Sequence, residues 1–218
     1  MSSLYRLIWH STSLISLVRA AGAAPFQWGH VVPTEDLRYH DCFGEYKCAR
    51  LEVPLNWLNE TDKRTVAIAV IKLPAVVPDD DPTFGGSIIT NPGGPADSGV
   101  KYVLDDGRNL QQIVDKPGHR HYEIVSFDPR GINNTTPVVD CFHSNHLARA
   151  ATQMETHGNG GLSRGYETIK YGLGMTEGLS LRCKETEDQY GEILSYVNTP
   201  SVARDMVEMV DRIDQLRK

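Results

Sequence analysis

The chain has 218 residues, 40% hydrophobic and 23% charged, enough for one α/β domain with a sizeable core or for two small domains. That balance excludes wholesale disorder. A net charge of −6 without a long Lys/Arg run excludes a nucleic-acid surface.

Residues 1–24 read as a secretory signal. Arg6 is the positive flank, Leu7-Ile-Trp9 and Leu14-Ile-Ser-Leu-Val18 form the apolar part, and Ala20-Ala-Gly-Ala-Ala24 supplies small residues for cleavage. The polar run from His10 to Ser13, and Arg19, depart from the ideal, and a frayed terminus is the alternative. Nothing else approaches the ~18 apolar residues of a membrane span. The four cysteines, Cys42, Cys48, Cys141 and Cys183, suit two bridges in an oxidising compartment, with their pairing open. Sequons at Asn59, Asn133 and Asn134 permit glycosylation, whereas Asn198-Thr-Pro200 fails the pattern. A secreted protein is expected.

Residues 25–48 read as a lead-in. From Cys48 to Leu55 the pattern alternates, with Ala49, Leu51, Val53 and Leu55 on one face, which predicts a half-buried strand ending near Pro54. Residues 65–73 are apolar on both faces and β-branched, a second strand. The short polar gap makes the pair an antiparallel hairpin. The loop at 78–82 is solvated, and its Asp79-Asp-Asp81 lacks the calcium-loop pattern. A third strand at 86–90 runs into a Gly/Pro-dense turn, and a helix follows. Its predicted stripe is Val100, Val103, Leu104, Leu110, Ile113 and Val114, with Asp97 or Ser98 as cap. A fourth strand at 122–128 completes a right-handed parallel βαβ unit. Residues 142–196 read as an insertion, loop to 175 and helical from 176. A last helix is capped by Thr199, with Pro200 first and a stripe of Val202, Met206, Met209, Val210, Ile213 and Leu216.

The turn Asn91-Pro-Gly-Gly-Pro-Ala-Asp-Ser-Gly99 has three chemical readings besides a plain structural turn. As a phosphate loop it fails, because Val100 stands where the Lys belongs and no Ser/Thr follows for magnesium. It lacks the dinucleotide spacing too. As an oxyanion hole it fits best, since Gly93 and Gly94 permit unusual backbone angles and close approach of N–H groups.

The second motif, Asp128-Pro-Arg-Gly131, follows the fourth strand at its carboxyl end, where open α/β sheets place their sites. Four runs stand in order: Arg50-Leu-Glu-Val-Pro-Leu-Asn-Trp57; Asn91-Pro-Gly-Gly-Pro95 with Ser98-Gly99; Val125-Ser-Phe-Asp-Pro-Arg-Gly131 with Thr136-Pro137 and Cys141-Phe142; and Thr199-Pro-Ser-Val-Ala-Arg-Asp205. Together they resemble the N-terminal half of the secreted tripeptidyl-aminopeptidase and proline-iminopeptidase branch of the α/β-hydrolases. The resemblance covers roughly residues 40–218. It implies a partial α/β-hydrolase domain over 25–218, with the four strands in the spatial order first, second, fourth, third, and a sheet incomplete without the nucleophile strand. It implies oxyanion-hole donors at Gly93 and Gly94 and loop scaffold at Asn91, Pro92, Pro95, Asp128, Arg130 and Gly131. Ala96-Asp97 and Gly131-Ile-Asn-Asn-Thr135 depart from the usual glycine-richer pattern.

A literal Gly161-Leu-Ser-Arg-Gly165 is present, but no strand precedes Ser163, and all eight histidines lie before it, against the required order Ser, acid, His. Ser163 therefore reads as a loop residue. His119, His121, His143 and His146 read as surface histidines, with no metal and no cofactor implied. The chain is expected to stop short of the nucleophile elbow and to leave its third strand as a bare edge. The leading expectation is half of a secreted serine hydrolase acting on peptide N-termini, inactive alone because the Ser, acid and His are missing. The alternatives are a non-catalytic remnant binding a partner through that edge, and half of an esterase or lipase. A peptide substrate is implied for the full enzyme; no nucleic-acid or membrane partner is, and the oligomeric state is open.

Overall fold

A computed structural model of the chain describes residues 25–94, 97–158, 162–190 and 192–215. The signal expected over residues 1–24, and Pro95, lie outside the described residues.

The central strand explains the architecture. Residues Thr65–Leu73 (β3) put Ala69, Ile71 and Leu73 on one face and Val66, Ile68 and Val70 on the other, all buried. A strand apolar on both faces needs a layer on each side. Helix Gly99–Val114 (α1) covers the first face with Val100 and Val103; helix Thr199–Gln215 (α4) covers the second with Met209 and Ile213. Each such aliphatic side chain taken from water contributes about 1.5–3 kcal/mol.

The sheet has five strands in the order β1-β2-β3-β5-β4. His40–Cys42 (β1), Tyr46–Pro54 (β2) and β3 form an antiparallel meander. Strand His121–Phe127 (β5) pairs antiparallel with β3, and Phe84–Thr90 (β4) pairs parallel with β5. The expected order of the four predicted strands is therefore present, and β4 is an edge strand among the described residues.

Several expectations are corrected. The lead-in contains β1, which Cys42 and Cys48 tie to β2 through a disulfide. Ile113 is 78% exposed, because the last turn of α1 turns Gln111 inward instead. The Gln111 amide donates to the carbonyls of Pro74 and Tyr122, both at 2.9 Å. On α4 the cap is Asn198, whose Oδ1 accepts the Ser201 N–H at 3.0 Å, so Thr199 is the first helical residue and Pro200 the second. Val210 faces outward, and Leu216 lies outside the described residues.

The region read as loop also holds α2 at His146–Gly158 and the start of α3, which runs Tyr166–Tyr190 and so contains most of the helix expected from Thr176. The pattern hid them for a physical reason. Gly172, Gly174 and Gly178 lower the helical propensity of α3, and Leu173 and Leu181 lie exposed, so no single face repeats. A second disulfide, Cys141–Cys183, anchors α3 to the chain leaving the sheet, and beside it the buried Thr186 donates to the Asp140 carbonyl at 3.2 Å. Replacing both Cys141 and Cys183 by Ser is expected to raise hydrogen exchange over α2 and α3 while β3 and β5 keep their protection. Equal loss across the sheet would show that the helices are part of the core.

Candidate functional site

The site begins where β4 ends. Beyond Thr90 the chain is exposed from Asn91 through Gly94, and φ is +84° at Gly93 and +130° at Gly94. Both angles lie where L side chains are strained. A Cβ at Gly93 would meet nothing within 4 Å, so backbone conformation, and not lack of room, calls for glycine there. The Asp97 N–H donates to the Gly93 carbonyl at 3.2 Å and closes the turn. Ser98 then caps α1, its Oγ accepting the Lys101 N–H at 3.0 Å. At Gly99 a Cβ would collide with the Phe127 carbonyl and Ser126 Oγ, so the helix starts directly against the end of β5.

Asp128, fully buried, joins these parts. Its Oδ1 accepts the Val100 N–H at 3.1 Å and the Ser98 hydroxyl; its Oδ2 accepts the N–H and the amide Nδ2–H of Asn134 at 3.0 and 2.8 Å. A buried carboxylate with its lone pairs filled, at the first turn of a helix, is favoured by both hydrogen bonding and helix dipole. The Asp128 backbone is held too: its N–H donates to Ala69 at 2.9 Å, and its carbonyl accepts the Thr135 hydroxyl at 2.5 Å. Asn133 Nδ2 donates to Ser98 Oγ at 3.1 Å.

Arg130, two residues on, points into the core. Its Nε and Nη2 donate to Asp205 Oδ2 and Oδ1 at 2.5 and 2.7 Å, a bidentate pair with both side chains fully buried. Nη1 and Nη2 also donate to the carbonyls of Leu55 and Pro54 at 2.5 and 2.6 Å. The Trp57 indole N–H donates to Asp205 at 2.9 Å, and its ring lies 5.9 Å from the guanidinium. Burial pushes the Asp205 carboxyl above its ordinary range, against the Arg130 hydrogen bonds that pull it down. Gly131, at φ +76°, leaves no room for a Cβ, which would stand 2.7 Å from Val139 and 2.9 Å from Val197.

Thus the structure gathers Asn91, Pro92, Gly93, Gly94 and Asp128 at one end of the sheet, while Arg130 faces the end of β2 and α4. The cap expected at Asp97 or Ser98 is Ser98. Nothing in the sequence signals that Asn134 holds Asp128 or that Trp57 and Asp205 meet Arg130, since only three-dimensional contact shows these partnerships. Cys42 pairs with Cys48 and Cys141 with Cys183. Ser163 sits exposed in a short 3-10 turn that follows α2, not a strand. His119, His143 and His146 are exposed; His121 is a correction, mostly buried with Nδ1 3.0 Å from Asp115 Oδ2.

No family model matches the chain. It is 31% identical to serine protease Hip1 of Mycobacterium tuberculosis over 162 residues, 73% of this chain and 27% of that protein. It is 34% identical to a carboxylesterase B of the same species over 95 residues, 44% of this chain and 16% of the relative. A tripeptidyl aminopeptidase of Streptomyces coelicolor is 27% identical over 123 residues, 56% and 20% of the two chains. The chain spans about a quarter of the length of the first of these relatives, and the matches support a relationship to hydrolases.

Arg130→Ala is expected to cost about 3–5 kcal/mol, because it leaves Asp205 buried without its partner. The paired replacement Arg130→Met with Asp205→Leu should recover most of that loss in urea-unfolding midpoints. A double variant no better than the single one would show that the contacts to Leu55 and Pro54, and not the ion pair, dominate.

Proposed function

We propose that this chain carries the oxyanion-hole side of a secreted serine hydrolase, a peptidase that releases residues from peptide N-termini. One observation carries the reading. Two consecutive glycines with positive φ stand exposed at the carboxyl end of β4, braced against the first turn of α1 by Asp97 and the buried Asp128. A turn of this kind suits backbone N–H donors fixed before charge develops, which is what an oxyanion hole requires.

In the proposed reaction a serine hydroxyl attacks the scissile carbonyl while a histidine takes its proton and an acidic residue orients the ring. The carbonyl oxygen becomes an alkoxide against the Gly93 and Gly94 turn. The histidine then returns its proton to the leaving amine, and water releases the acyl group. In this reading the serine and its partners belong to parts of the hydrolase outside these residues, since Ser163 lies in a turn and not after a strand, and all eight histidines precede it. An esterase is the second reading, favoured by the carboxylesterase match; the same hole serves both chemistries.

Two outcomes test this. Incubated with a fluorophosphonate probe, the 218-residue chain should remain unlabelled, and covalent reaction at Ser163 would overturn the assignment. In the complete hydrolase, Gly94→Val should lower kcat on the order of 10²–10³-fold with KM little changed. Relative kcat/KM for a tripeptidyl anilide against a short-chain nitrophenyl ester separates peptidase from esterase.

A further inference from the structure

We propose that Asn59 is an N-glycan acceptor, and that Asn133 and Asn134, which carry the same sequence signature, are structural residues and bear no glycan. The inference rests on the secretory part of the proposed function and on nothing in its chemistry.

Asn59 lies in the exposed turn between β2 and β3. Its Oδ1 accepts the Thr61 N–H at 3.1 Å and the Thr61 hydroxyl at 2.7 Å, which holds the amide and the hydroxyl of the signature together in a local loop. Among the described residues its Nδ2 has no hydrogen-bond partner. Leu58 beside it is 83% exposed, so a sugar attached here meets surface and no packed neighbour.

The other two amides are committed. Asn134 Nδ2 donates to the fully buried carboxylate of Asp128 at 2.8 Å. A sugar on that nitrogen has to occupy space at the closed cluster that holds the first turn of α1. Asn133 Nδ2 donates to the Ser98 cap at 3.1 Å from a residue with φ +46°. A glycan there would stand over the start of α1, beside the Gly93 and Gly94 turn.

In the transfer, Asn59 Nδ2 attacks the anomeric carbon of a lipid-linked oligosaccharide diphosphate. The N–C bond forms as the C–O bond to phosphate breaks. The lipid diphosphate leaves with that electron pair, and Nδ2 gives up one proton.

The test expresses the full chain in a eukaryotic secretory host behind a heterologous leader, so that delivery does not depend on residues 1–24, and scores total cell extract together with medium. Peptide N-glycosidase in ¹⁸O water should convert Asn59 to labelled Asp and leave Asn133 and Asn134 unlabelled. Asn59→Asp keeps the turn's accepting oxygen and should abolish the mobility shift, as should Thr61→Ala with Asn59 intact. A shift that persists in either variant, label at Asn133 or Asn134, or an unshifted wild type from cells that glycosylate a control secreted protein each overturns the proposal.

Discussion

The buried pair of Arg130 and Asp205 is the constraint on which the rest depends. One side chain closes three elements at once: the loop after β5, the end of β2 through the Leu55 and Pro54 carbonyls, and α4 through the carboxylate. Taking both charges from water is expensive, and a pair in this position is weak evidence for stability in itself. Its value lies in specificity. The guanidinium fork has few geometries that fill all its donors, so α4 can dock on the sheet in few ways. The apolar stripe of Met209 and Ile213 alone would tolerate rotation or sliding of the helix.

Asp128 and Asp205 show how two buried carboxylates serve different ends. Asp205 meets a full positive charge. Asp128 meets neutral donors, Val100, Ser98 and Asn134, and the partial positive charge of a helix start. The first arrangement fixes how layers pack. The second fixes where one short turn stands relative to the strand beside it, with Pro129 as the only residue between Asp128 and the Arg130 anchor. Stiffness in the core is thereby passed along the chain to Asp128, and from there to the start of α1 beside the exposed turn through the hydrogen bonds to Ser98 and Val100.

Much of this was legible in the sequence, and the illegible parts have physical causes. Strand β2 and the helices α1 and α4 declared themselves by period, because each presents one face to a core, and β3, β4 and β5 as short apolar runs between turn residues. Gly93 and Gly94 declared themselves because few residues tolerate positive φ. Helix α2 and the part of α3 ahead of Thr176 did not, because they cover little: α2 has no buried residue. Asn198 as cap was missed because the Thr199-Pro200 pair offers a plausible start one residue later. The partnership of Arg130 with Asp205 spans 75 residues, a distance over which no local pattern reports contact.

The edge strand β4 supplies the remaining step. Its residues are Phe-Gly-Gly-Ser-Ile-Ile-Thr, all half-buried, and a Gly-rich strand without clear alternation specifies its register weakly. A slip of one residue would carry the Gly93 and Gly94 turn away from α1 and turn Ser87 to the opposite face. Polar contacts oppose this. Ser87 donates to Glu123, its register partner on β5, and Glu123 in turn pairs with Lys72 of β3 at 3.0 Å. Glu123 is 2% exposed, so a slip that removed Ser87 would leave a buried carboxylate short of a donor, at a cost of about 1–3 kcal/mol. Gly85 adds a steric stop, since a Cβ there would strike the Tyr122 ring; the strand can lie close to β5 only with glycine at that point. The polar residues inside this apolar sheet therefore act as a register lock, and the position of the exposed turn follows from a contact several residues upstream of it.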